Sequence, residues 1–82
     1  MATTAVTQKV VSVKSVKMRI GTKETTVTRV AERQSELGAR AEEYDVVIRV
    51  NGQEVARATS WDMGDAIADA EEAFSAWLSR RS

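Results

Sequence analysis

Asp62, Asp65, Asp69 and Glu72 are spaced so that a helix would present them as one band of negative charge, because residues three and four apart are neighbours on a helix surface. Such a band can meet a basic surface on a partner protein, where complementary charge mainly speeds and orients association. The pattern Asp62-x-x-Asp65-x-x-x-Asp69 also raises a divalent cation, since Mg²⁺ and Ca²⁺ take oxygen ligands. Nothing in the sequence supplies a phosphate cradle for one, and a solvated helix back accounts for the spacing more simply. No metal or cofactor is expected. A second group is basic: Lys14, Lys17, Arg19, Lys23 and Arg29 punctuate a stretch rich in β-branched residues. Cations in that number neutralise several phosphates, which gives affinity that falls steeply with salt. Binders of single strands usually add aromatic stacking platforms, whereas the aromatics here are only Tyr44, Trp61, Phe74 and Trp77. A lysine-rich strand edge that discourages sheet-to-sheet association is the competing explanation.

The two groups reflect a split of charge along a neutral chain. Residues 1–41 hold eight basic and three acidic side chains, a net +5, and residues 42–82 hold four basic and nine acidic, a net −5. One small body with a basic surface and an acidic surface is the expected result.

Catalysis has little to work with. The 82 residues include no Cys, Pro or His, so there is no thiol nucleophile, thiolate site or disulfide, and the usual general base and zinc ligand are missing. No nucleophile elbow, phosphate-binding glycine loop or dinucleotide fingerprint occurs. Glu42-Glu43 and Glu71-Glu72 are sequence neighbours whose side chains diverge, so neither reads as a catalytic pair. The expectation is a protein that is not an enzyme. The start, MATTAVTQKV, has no leader pattern and no stretch approaches a membrane span, so a cytoplasmic setting is expected.

The elements that would position these residues follow from periodicity. Residues 1–82 read as a single domain, with 1–5 expected to fray. Val11 and Val13 share one parity while Val16, Met18 and Ile20 share the other, so one strand over about 8–20 is expected to carry a bulge near Lys14–Ser15. That placement points Lys14, Lys17 and Arg19 away from the core. A second strand starts at Thr25-Thr26-Val27-Thr28-Arg29-Val30. Residues 31–43 allow either a helix or a hairpin turning around Leu37-Gly38-Ala39; the hairpin is preferred, because the helical stripe holds one large apolar residue between Val30 and Tyr44. Tyr44, Val46, Ile48 and Val50 alternate up to Asn51-Gly52, the strongest short-range hairpin signal. The register that follows sets Arg49 against Glu54, Ile48 against Val55 and Val47 against Ala56.

The last element is an amphipathic helix over about Met63–Arg80, with Met63, Ile67, Ala70, Phe74, Trp77 and Leu78 on one stripe and Asp62 as N-cap. Trp77 is expected in the core. Trp61, just before the cap, fits either a hydrophobic staple onto Asp65–Ala66 or an exposed interface anchor. The order β-β-β-β-α makes an α+β fold, a four-stranded antiparallel sheet with one C-terminal helix on one face. One helix leaves the second face, with Val47, Ala56 and Ala58, open to a second copy as a homodimer.

The layout over about 44–78, strand, Asn-Gly turn, strand and an Ala-rich helix ending in Trp77-Leu78, resembles the sheet-plus-helix half of HicB-type antitoxins, which bind a small toxin. It also resembles the arm-type DNA-binding domain of phage integrases, from which the acidic helix departs. Together these features set the expected function: a small non-catalytic protein-binding module, a regulator, inhibitor or accessory factor of the kind phages and mobile elements encode. It would act through Asp65, Asp69, Glu72 and Trp61 or through the open sheet face. The alternative is nucleic-acid binding through Lys14, Lys17, Arg19, Lys23 and Arg29.

Overall fold

The structure, a computed structural model, describes residues 6–36 and 42–81. The chain runs β1 (Val6–Ile20), β2 (Lys23–Glu36), β3 (Glu42–Val50), β4 (Gln53–Ser60) and α1 (Met63–Ser79). The strands form one antiparallel sheet in the order β1-β2-β3-β4, and α1 packs across one face, chiefly on β4 and β3. This is the α+β architecture expected from the periodicity. The expected fraying of 1–5 and the turn around Leu37-Gly38-Ala39 lie outside the described residues. Among the described residues no helix is long and apolar enough to cross a membrane.

Residues 31–36 extend β2 and pair with β3 from Val27↔Val50 to Ser35↔Glu42, so the segment is a hairpin arm. Packing decides this: Ala31 sits opposite Val46 and both are fully buried. Two of the connections are tight. Gly21 adopts φ 65° at the first position of the β1–β2 turn, where a type II′ turn calls for glycine. Asn51 and Gly52 both have positive φ, 50° and 84°, as a type I′ turn requires. Asn51 also extends the sheet, donating its N–H to the Thr26 carbonyl (2.9 Å) and accepting the Thr26 N–H on Oδ1 (3.2 Å).

Two bulges set the faces: the one expected in β1 lies elsewhere in that strand, and β4 carries a second that alternation does not announce. In β1 the extra residue is Val11, between Val10↔Glu32 and Ser12↔Ala31, not Lys14–Ser15. From Ser12 onward the strand alternates strictly, so Val13 stays on the face away from α1, beside Val30 and Val47, while Lys14 falls on the helix side. In β4 the extra residue is Val55, between Arg49↔Glu54 and Ile48↔Ala56. The expected Ile48–Val55 and Val47–Ala56 pairs are thereby replaced, and every later side chain of β4 changes face. Ala56 and Ala58 come to lie beneath α1 as part of the core, and Arg57 emerges on the opposite face across from Val47. The physical reason is plain, since without the bulge a guanidinium would sit opposite buried Val46 under the helix.

The core is built from Val27, Ala31, Val46, Ile48 and Ala56 on the sheet against Ala66 and Ala70 on α1. Alanines one turn apart, both fully buried, let the helix backbone come close to the strands. Ile67, Phe74, Trp77 and Leu78 flank that line half-buried, so Trp77 borders the core instead of filling it. Its ring stacks on Phe74 at 5.9 Å and 16° and is covered by Arg81 at 4.6 Å.

Asp62 caps the helix, its carboxylate accepting the Asp65 N–H at 3.0 Å. The return bond of a capping box is supplied from outside, by the Ser60 hydroxyl accepting the Asp62 N–H at 3.4 Å. Gly64 leaves room for the cap, because a Cβ there would meet Asp62 Oδ2 at 3.1 Å. Replacing Asp62 by alanine should cost about 1 kcal/mol, read as a lowered midpoint in urea with an unchanged m-value.

Candidate functional site

The outward face of α1 is where the expected acidic band stands. Asp65, Asp69 and Glu72 are exposed, and among the described residues none has a basic partner within salt-bridge distance. Glu71, their neighbour, turns the other way and takes a bond from Arg29 Nη1 at 2.6 Å. The divergence expected of Glu71-Glu72 is therefore realised between adjacent positions of the helix. Asp62 is committed to its cap, and among the described residues no three acidic side chains converge as metal ligands do.

Trp61 is 69% exposed. The staple reading is thereby corrected, for a tryptophan closing over the first turn would be largely covered. The chain instead leaves β4 through Ser60, whose hydroxyl is bonded to the Asp62 N–H, and the indole stands in solvent next to the start of the acidic face. An exposed indole carries a large apolar surface with one N–H donor, the combination that makes tryptophan an interface anchor.

The five candidate cations do not share a face. Register puts Lys17 opposite Thr26 and Arg19 opposite Glu24 on the face away from α1. Lys14 lies opposite Arg29 on the helix side, correcting the outward orientation expected for it. Arg29 is largely buried and spent on Glu71. Lys23 borders a separate hollow of about 290 Å³ with Ile20, Val50, Trp77 and Arg81. Alternation cannot gather these residues once the bulge moves to Val11.

The face away from α1 holds an arrangement that the sequence pattern did not single out. Arg57 reaches along its own strand to Glu54, with Nη2 at 2.9 Å and Nε at 3.2 Å, and across to Asp45 with Nη1 at 2.6 Å. Asp45 also accepts the Thr59 hydroxyl at 3.3 Å. Its side chain is only 8% exposed, whereas that of Arg57 is 49% exposed. Only the Val55 bulge brings 54 and 57 to one side, so strict alternation hides the pair. The strap lies across from Val47, which is itself buried. With Ala56 and Ala58 under the helix, the exposed apolar area left on this face is mainly Val10 and Val13.

The Glu54 carboxyl is held below its ordinary value of 4.5, first by its hydrogen bonds from Arg57, which outweigh the opposing desolvation, and then by the charges of Arg57 and Arg49. The Arg57 guanidinium is pushed further up, first by the hydrogen bonds to Glu54. The sign for stability follows. A carboxyl whose folded value lies below its unfolded one stabilises fully above the unfolded value, and loses that contribution as pH falls through the folded one. The thermal midpoint should therefore decline as pH drops below 4.5, and Glu54→Gln should flatten part of that decline by lowering the neutral-pH midpoint slightly while leaving the acid melt little changed.

Beside α1, the helix side of β1 is left partly uncovered, with Val16 exposed while Val27 and Ala31 of β2 are buried. A groove of about 320 Å³ runs there, lined by Lys14, Val16, Met18, Val27, Arg29, Ile48, Glu71 and Phe74. Its signal in the sequence is the Val16-x-Met18-x-Ile20 alternation, longer than the single helix can cover.

No protein-family model, curated protein or solved structure matches this chain, and the layout resemblance to antitoxin and integrase modules gains no support from those comparisons.

Proposed function

We propose that this chain is a small non-catalytic protein-binding module, a regulator, inhibitor or accessory factor, whose contact surface is the outer face of α1 with Trp61 at its N-terminal end. The observation that carries the reading is the exposed indole of Trp61, 69% open to solvent, beside the exposed and unpaired Asp65, Asp69 and Glu72. An apolar anchor flanked by charge is the usual makeup of an interface: the anchor supplies the binding energy and the flanking acids select a basic partner and speed its approach. A helix capped at its start and tied to the sheet by Arg29–Glu71 presents the acids on a backbone that is already formed, which lowers the ordering cost of binding. A cytoplasmic setting accords with a chain that has no cysteine.

Nucleic-acid binding through Lys14, Lys17, Arg19, Lys23 and Arg29 has less support, because those side chains lie on two faces and one of them is neutralised by Glu71.

The test compares affinity capture by the wild type with capture by Trp61→Ala, by Asp65→Lys/Asp69→Lys/Glu72→Lys and by Lys17→Glu/Arg19→Glu. A partner retained by the last variant and lost by the first two is the expected result. A partner indifferent to the helix variants overturns the site. Salt-sensitive binding of a random oligonucleotide, abolished by Lys17→Glu/Arg19→Glu, would replace the function itself.

A further inference from the structure

We propose that the face of the sheet away from α1 is the interface of a homodimer, in which a second copy packs sheet to sheet with its strands inverted. The outer face of α1 lies on the other side of the molecule, so this assignment and the proposed function stand or fall independently.

Register builds the surface. Val13, Val30, Val47 and Arg57 form one row across all four strands on this side. Val10 follows one step along β1, opposite Glu32. Val10 and Val13 are 51% and 61% exposed, and Val30 is half-buried. Of the large apolar side chains exposed among the described residues, Val10, Val11 and Val13 fall within one short piece of β1, so apolar exposure is concentrated here. Two sheets pack face to face at about 10 Å, and a second sheet at that distance would bury the valine row.

Charge identifies the second sheet as a copy of the first. One step from the valine row Arg49 stands opposite Thr28, and a further step on Lys17 stands opposite Thr26. In the other direction Glu32 comes first, opposite Asp45, and then Glu43, opposite Gln34. Among the described residues none of Arg49, Lys17, Glu32 and Glu43 has a partner within salt-bridge distance. The other charges of this face are already answered. Glu54 and Asp45 are both bonded to Arg57, and Arg19 stands opposite Glu24. What remains is a basic end and an acidic end about an apolar middle.

A two-fold interface requires a patch that is complementary to itself. Turning the second copy about an axis along the valine row reverses the order of its rows. Arg49 then falls level with the partner's Glu32 and Lys17 level with the partner's Glu43, and symmetry makes each match twice. Valine meets valine between them, and Arg57 enters the contact already neutralised. A phosphate backbone, by contrast, would meet Glu32 and Glu43 unpaired. A strand added at the β1 edge would leave Val30 and Arg49 untouched. The core lies under α1 on the other side of the sheet, so the monomer keeps its core whether or not the pair forms. In the dimer both helices face outward, which gives the acidic face two copies for a multivalent partner.

The test is sedimentation equilibrium of the full chain over a range of concentrations, at low and at physiological salt. The wild type should approach twice the chain mass as concentration rises, and the association should weaken with added salt. Lys17→Glu/Arg49→Glu makes both ends acidic, and Glu32→Lys/Glu43→Lys makes both ends basic. Each variant alone should dimerise at least about tenfold more weakly than the wild type. An equimolar mixture of the two should recover the dimer, because every altered end then meets its opposite. Thermal melts of dilute samples check that the variants fold. Lys17→Glu alone, at an exposed position, carries the comparison if a double variant melts early, and should weaken the dimer at least about threefold. A wild type that stays monomeric at millimolar concentration, a dimer indifferent to the charge variants, or a mixture of folded variants that remains monomeric overturns the proposal. A dimer sensitive to Lys17→Glu but not to Arg49→Glu places the contact on the β1 edge and overturns it too.

Discussion

Ile48→Ala should remove about 2–3 kcal/mol of stability, the lower part of the range for truncating a buried isoleucine. Ile48 is 2% exposed and sits mid-sheet, between Arg29 on β2 and Ala56 on β4. Two features act against each other there. The helix above is anchored by Ala66 and Ala70, both fully buried, and side chains that small cannot reach into the space left behind. The groove beside Ile48, however, opens to solvent past Val16 and Met18, so part of the deleted volume becomes surface and the cavity term is reduced. That second effect is why the lower part of the range applies. A chain of this length is stable by only about 4–12 kcal/mol, so the loss is a large share of the total. Urea denaturation should show a lower midpoint with an unchanged m-value. The control is Val13→Ala, on the opposite face and 61% exposed, which should stay within about 0.5 kcal/mol of the wild type. Equal losses from the two would mean that the helix does not define the core side of the sheet.

The parts of this fold that were legible in the sequence are those where local chemistry and long-range packing agree. Asn51-Gly52 names its turn because few residues tolerate positive φ twice in succession. Asp62 names the helix start because its carboxylate can reach the Asp65 N–H, and the outward set Asp65, Asp69 and Glu72 follows from helical spacing alone. The bulges were not legible in the same way. An extra residue such as Val11 or Val55 needs no special side chain, so it leaves no mark of its own in the composition. Its trace lies further along: Arg57 would have fallen on the core face, and Ala56 and Ala58 are small enough to fit beneath a close-packed helix. Weighing the burial of Arg57 against the loss of one ladder bond would have placed the β4 bulge. In β1 no such conflict exists, since either face tolerates a valine beside Val30 and Val47 or a lysine at the open edge beside α1, and the basic residues could not be assigned to faces. The acidic half of the candidate chemistry was therefore visible in the sequence and the basic half was not.

Arg57→Leu and Asp45→Val each break the same 2.6 Å ion pair, and they should differ sharply in cost. What matters is the group left behind. After Arg57→Leu the survivor is a carboxylate only 8% exposed, with the Thr59 hydroxyl as its one remaining side-chain donor. A stranded charge of that kind should cost about 2–3 kcal/mol. The figure stays below that for a fully enclosed pair, because half of the guanidinium was in water to begin with. After Asp45→Val the survivor is that half-exposed guanidinium, which keeps Glu54 and gains water. The loss there should be under about 1 kcal/mol, as for a surface pair. Asp45→Val/Arg57→Leu leaves no charge stranded and adds two apolar groups beside buried Val47, so the double variant should recover most of what Arg57→Leu loses. Urea midpoints of the three variants at pH 7 give the comparison directly. Equal losses from the two single changes would show that the bond itself stabilises the fold and that the burial of Asp45 does not decide the cost. A double variant as weak as Arg57→Leu alone would point instead to the lost packing of the arginine stem over Val47. The expected asymmetry, with recovery in the double variant, would identify Arg57 as the counter-charge that lets β3 carry a buried aspartate on the face away from the helix.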